Sequence, residues 1–120
     1  MGERVLIDTD VLIDYVKGKV ELPEVCYISE ITLYEFLRGV KDPKTAKKIL
    51  EEEFIVIWND NEILETASRI YRELKNSGNL VSDADIIIAS TAIVKGLRLW
   101  SKNRKHFERF REFGLSFEGK

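Results

Sequence analysis

Cysteine and histidine are almost absent from this 120-residue chain, which holds one of each. A lone Cys26 cannot close an internal disulfide. With His106 as the single histidine, a zinc centre built on sulfur and imidazole is not expected. Cys26, inside Val25-Cys26-Tyr27-Ile28, reads as a small core hydrophobe, and a reducing cytoplasm fits it. No apolar run approaches the ~18 residues that a membrane span needs. The first apolar stretch is short and broken by Asp8, Asp10 and Asp14, unlike a signal peptide, so a cytoplasmic protein with no membrane partner is expected. Neither charge sign dominates: 19 Lys and Arg against 21 Asp and Glu leave a net charge of −2. The chain as a whole therefore has no pull toward nucleic acid, and any such binding needs a local basic patch. Repeats, low-complexity tracts and linkers are missing too. Residues 1–120 read as one domain, long enough to bury a core without disulfides.

What is present is an alternation of short apolar runs and helical patterns. The runs predict strands over residues 5–8, 25–29, 54–58 and 97–100, with a fifth, edge strand over 115–117. Helices are expected over 10–17, 32–40, 44–53, 60–76, 82–95 and 104–113. Asn59 with Glu62 has the spacing of a capping box, and Gly18 and Gly96 stop the helices before them. Such an order implies an α/β fold: three layers, α/β/α, around a mostly parallel sheet of four to five strands. The first two predicted helices carry Val11, Leu12, Tyr15, Val16, Leu33, Tyr34, Phe36 and Leu37. These side chains either pack the core or form a surface for homodimerisation and partner docking.

Acids recur where strands end and helices begin. Asp8 follows Val5-Leu6-Ile7, so it sits at the carboxyl end of a buried strand, where parallel sheets place their crevices. A carboxylate there is costly to desolvate without a partner. Glu35, in Thr32-Leu33-Tyr34-Glu35, is either half of a capping box or an acid aimed at the same edge. Asp85, in Ser82-Asp83-Ala84-Asp85, poses the same choice. The apolar Ile86-Ile87-Ile88-Ala89 after it favours a buried helix. Asp83 is the second acid of that turn, either a support to the site or a solvated neighbour. Asn103 either caps the last helix or faces the acids, and His106 reads as a surface helix residue. Acids with one amide suit Mg²⁺ or Mn²⁺ rather than zinc.

Together, Ile7-Asp8-Thr9-Asp10-Val11, Thr32-x-x-Glu35, Asp85-x-x-Ile88-Ala89 and Leu99-Trp100-Ser101-Lys102-Asn103 with Phe107 resemble the PIN domain. Within that family the length and order are similar to the VapC-type toxins of prokaryotic toxin–antitoxin pairs. The resemblance runs from about Val5 to Phe117. It implies a PIN-like fold and a metal-dependent ribonuclease that uses one or two Mg²⁺ or Mn²⁺ ions on single-stranded or structured RNA. It also implies a homodimer and a VapB-type antitoxin partner. The family's acids fall on Asp8, Glu35 and Asp85 as metal ligands and catalytic residues, and its fourth position falls on Asn103. Thr9, Ser101 and Asp83 become supporting residues. Three departures stand out: Asp10 where Asn or Ser is commoner, Asn103 in place of an acid, and His106 where an acid often precedes the Phe.

An acidic pocket repels RNA, so a basic rim is needed. Lys102, Arg104, Lys105, Arg109 and Arg111 are the first choice, and Lys41, Lys44, Lys47 and Lys48 the second. Three other readings compete. One is a housekeeping RNA-processing PIN nuclease, and another is a PIN module without turnover. The third is a haloacid-dehalogenase-type phosphatase, which Asp8-Thr9-Asp10-Val11 also resembles. That last reading leaves Thr32-x-x-Glu35 and the Ser101-Lys102-Asn103 turn without a role.

Overall fold

Residue alternation along the first strand divides the core into two halves. In the computed structural model, which describes residues 4–119, β1 (Val5–Ile7) lies at the centre of a five-stranded sheet. Successive side chains of a strand point to opposite faces. Val5 and Ile7 therefore enter one apolar cluster with Val11, Leu12, Ile28, Leu33 and Leu50. Leu6 enters the other, with Ile70, Ile88, Leu99, Phe107 and Phe110. All three β1 side chains are fully buried, as expected for a parallel strand covered on both faces.

The elements follow in the expected order. After β1 come α1 (Thr9–Val16), β2 (Cys26–Ser29), α2 (Glu30–Leu37), α3 (Pro43–Glu53) and β3 (Ile55–Ile57). Then come α4 (Asn61–Asn76), α5 (Asp83–Lys95), β4 (Arg98–Trp100), α6 (Arg104–Phe107), a 3-10 helix (Glu108–Phe113) and β5 (Ser116–Phe117). The strand order is β3-β2-β1-β4-β5, and every pairing is parallel. Helices cover both faces, so the three-layer α/β/α expectation holds. Among the described residues no helix is long and apolar enough to cross a membrane.

Local details depart from the sequence expectation in three places, and a fourth settles a choice the sequence left open. Asp60, not Asn59, caps α4, its carboxylate accepting from the Ile63 amide at 2.9 Å. Ser29, not Thr32, caps α2, its hydroxyl accepting from the Thr32 amide at 3.1 Å, while Thr32 is buried one turn inside. The last helix tightens into a 3-10 helix after Phe107. Three residues per turn stack Phe107, Phe110 and Phe113 on one line toward the core. Most of the apolar surplus on α1 and α2 is core packing. Val11, Leu12 and Leu33 are buried, and Tyr15, Phe36 and Leu37 pack against them. Val16 and Tyr34 remain exposed.

The α5–β4 junction shows how the site edge is built. Gly96 adopts φ +66°, a left-handed conformation that costs glycine little. It ends α5 and returns the chain into β4 beside β1, where Trp100 pairs with Ile7. Cys26 lies buried in the cluster under α1.

Candidate active site

Asp8 is fixed from both sides of its peptide. Its amide donates to the Trp100 carbonyl at 3.1 Å, extending the β1–β4 ladder by one residue. Its side chain accepts from the Val11 amide at 3.1 Å and so caps α1. The residue is only 4% exposed. Burial pushes its carboxyl up to about 6, with Asp10 and Asp85 adding repulsion. The Ser101 hydroxyl and the Val11 amide, both donating to it, pull the other way.

The parallel topology brings distant acids to this edge. Asp8, Thr9, Asp10, Glu35, Asp85 and Asn103 line one cleft of about 310 Å³, together with Arg38, Ile13, Ile88 and Phe107. A larger cavity of about 760 Å³ runs along α4 and α5 but gathers no acid cluster, so size does not mark the site. Glu35 has no capping role. The Thr9 hydroxyl donates to its Oε1 at 2.6 Å, and Thr32 Oγ1 lies 3.3 Å from the same hydroxyl. Ser82 caps α5 by accepting from the Asp85 amide at 3.2 Å. That leaves the Asp85 carboxylate to face the cleft. Asn103 occupies the cap position of α6 but makes no side-chain cap hydrogen bond. Its amide N–H donates to Ser101 Oγ at 2.9 Å.

Two expectations change here. His106 is not a free surface residue: its Nε2 lies 2.8 Å from Asp85 Oδ2, and its side chain is about 27% exposed. Its edge packs against Phe107. Asp83 does not join the acids. Two residues before Asp85, it lies roughly 200° round the helix and borders the α4–α5 cavity.

The predicted basic residues do not line the cleft either. Lys102 pairs with Asp14 at 2.9 Å. Arg104 lies over the Phe117 ring and 3.8 Å from Glu108, which also pairs with Arg111 at 2.6 Å. Arg109 donates to the carbonyls of His106 and Asn79, and Lys105 is exposed on the outer face. The cation that does line the cleft is Arg38. Nothing in the helical spacing of Arg38 set it apart, because its place depends on how α2 lies against α5.

The donor set suits a hard divalent cation. The metal-ligating atoms on offer in the cleft are oxygens: four carboxylates line it, and one of them resists ionisation. Among the described residues no three His, Cys, Asp or Glu side chains are drawn together as a ready-made metal centre.

Comparison with known proteins agrees with this geometry. A PIN domain family model matches residues 5–112. The chain is 48% identical over 121 residues to Ribonuclease VapC1 of Methanocaldococcus jannaschii, covering 98% of this chain and 88% of that protein. It is 30% identical to Ribonuclease VapC19 of Mycobacterium tuberculosis, over 88% and 93% of the two chains. Among solved structures it is similar to DNA-bound VapBC from Salmonella typhimurium, with 26% identity, a TM-score of 0.81 and 98% of each chain covered.

Proposed function

Because this chain belongs to the PIN domain family, we propose that it is an endoribonuclease and the toxin of a VapBC-type toxin–antitoxin pair. Family membership removes the phosphatase reading of Asp8-Thr9-Asp10-Val11. The observation that carries the proposal is the convergence of Asp8, Glu35 and Asp85, from three distant segments, in one cleft.

Asp8 and Asp85 would hold Mg²⁺ or Mn²⁺, with Glu35 beside them and Asn103 offering an uncharged oxygen. Such an ion, when bound, neutralises charge on the phosphate and lowers the pKa of water at the site. The protein's own groups do the positioning. Thr9 occupies Glu35 Oε1, which leaves Oε2 to take the proton of the attacking water. Ser101 and the Val11 amide hold the Asp8 carboxylate in place from behind. Phe107 and Ile88 form the apolar floor of the cleft.

A VapB-type antitoxin is the protein partner in this reading. We place its docking on the apolar trough of about 370 Å³ lined by Leu33, Tyr34, Leu37, Pro43 and Trp58, where Tyr34 and Trp58 stay exposed. Homodimer formation and a cytoplasmic site of action belong to the same reading. The buried, reduced Cys26 accords with that compartment.

The test is cleavage of a mixed-sequence single-stranded RNA by purified protein, with Mg²⁺ or Mn²⁺, with EDTA, and with Asp8→Asn prepared identically. Cleavage that needs metal and vanishes in the variant supports the assignment. Cleavage that survives in Asp8→Asn overturns it. RNA binding without cleavage by folded wild type points to a PIN module without turnover.

A further inference from the structure

The wall of the acid cleft holds one cation, Arg38, that no acid pairs with among the described residues. Arg38 follows α2 as its C-cap residue and lines the cleft with Asp8, Asp10, Glu35 and Asp85. It is half-buried. Among the described residues it makes no salt bridge, and its guanidinium lies 5.7 Å from the centre of the Tyr34 ring. The basic residues around Asn103 do not line this cleft. Lys102 is tied to Asp14, Arg111 to Glu108, and Arg109 to two backbone carbonyls.

We propose that Arg38 binds a phosphate of the RNA strand beside the one being cleaved, and so lets a polyanion enter an acid-lined cleft. The proposal rests on the ribonuclease reading above. A guanidinium presents a planar fork of N–H donors that matches two phosphate oxygens. Its place over the Tyr34 ring consumes none of those N–H donors. Arg38 also borders the apolar trough, which places it at the mouth of the cleft rather than among the carboxylates at its base. A purely internal role, offsetting carboxylate repulsion, would act on metal affinity instead of on RNA.

The experiment separates these roles. Asp8→Asn serves as a non-cleaving background for binding a fluorescein-labelled, mixed-sequence 20-nucleotide single-stranded RNA, followed by anisotropy across a KCl series with Mg²⁺ present. In that background Arg38→Gln is expected to weaken binding about tenfold at low salt. The slope of log affinity against log salt should shrink by about 0.7, the loss of one phosphate contact on a single strand. Arg38→Lys should keep the slope and recover part of the affinity, and Lys102→Gln should leave both nearly unchanged. In the cleaving protein, Arg38→Gln should raise KM more than it lowers kcat, with Mn²⁺ affinity by calorimetry unchanged. Unchanged RNA affinity and slope in Arg38→Gln overturns the proposal while the nuclease stands. A fall in Mn²⁺ affinity with RNA binding intact overturns it in favour of the internal role. Absence of both cleavage by wild type and binding by the background variant overturns the ribonuclease reading and this proposal together.

Discussion

The Nε2 of His106 lies 2.8 Å from Oδ2 of Asp85, across 21 residues of sequence and between α6 and the first turn of α5. An imidazole N–H donating there occupies one carboxylate oxygen and leaves the other for the cleft. Partners of this kind orient metal-binding carboxylates, and removing them typically costs 10–100-fold in affinity or activity. His106→Ala is therefore expected to weaken Mn²⁺ binding about tenfold by calorimetry and to slow RNA cleavage comparably. His106→Gln, which keeps an N–H donor, should recover most of both. Equal losses in the two variants would show that packing against Phe107 matters and the hydrogen bond does not.

Asp8 should make metal-free stability fall as pH rises. Its carboxyl stands at about 6 in the fold against 3.8 for the free group. Below both values it is protonated in the folded and unfolded chain alike and costs nothing. Between them the unfolded chain ionises first, so the native state loses stability. Above about 6 the full penalty applies, of order 3 kcal/mol from the displacement of that pKa from 3.8. In EDTA, Asp8→Asn should then be more stable than wild type at pH 7.5, and the gap should close near pH 4. Urea unfolding of both proteins across that range reads it directly. A gap independent of pH would sink the assignment.

Thr9 holds Glu35 through a 2.6 Å hydrogen bond. Thr9→Val preserves shape and removes the donor. Cleavage is expected to drop about 10-fold or more, while stability shifts by no more than about 1 kcal/mol because Glu35 can turn to water. Thr9→Ser should restore the rate. Rate measurements alongside thermal melts separate the two effects, and an unchanged rate in Thr9→Val would remove Thr9 from the positioning role.

Asn103 contributes an amide where another carboxylate could stand. Asn103→Asp adds one negative charge to the cleft. An extra charge at near-contact distance from a divalent ion is worth about 2 kcal/mol in solvated surroundings, twice the value for two unit charges, so Mn²⁺ affinity should rise about thirtyfold. The same change should lower the melting temperature in EDTA, because the acids repel one another more strongly. Titration calorimetry and melts with and without metal test both halves, and an affinity that does not move would place residue 103 outside the reach of the ion.

The place of Asp8 at the carboxyl end of a buried strand was legible without coordinates, since a short apolar run ending on an acid marks that edge in an α/β chain. Glu35 and Asp85 were half legible. Their spacing from Thr32 and Ser82 fitted capping boxes equally well, and only the position of Thr9 and the direction of α5 resolved the choice. His106 and Arg38 were not legible. Each looks like an ordinary polar helix residue until its element is seen against its neighbours. The basic residues around Asn103 were legible as charge but not as to place: Lys102 and Arg111 lie outside the cleft lining and pair with Asp14 and Glu108.

The sequence by itself determined the order of strands and helices, the helix stop at Gly96, and the placement of acids at strand ends. Hydrophobic periodicity and backbone conformation act over a few residues along the chain. The tertiary structure alone decided which acids share a cleft, which hydroxyl and imidazole orient them, and which cation faces them. Those relationships span more than 20 residues and depend on how packed elements turn toward one another. No local spacing encodes that direction, because burial and charge act through space rather than along the chain.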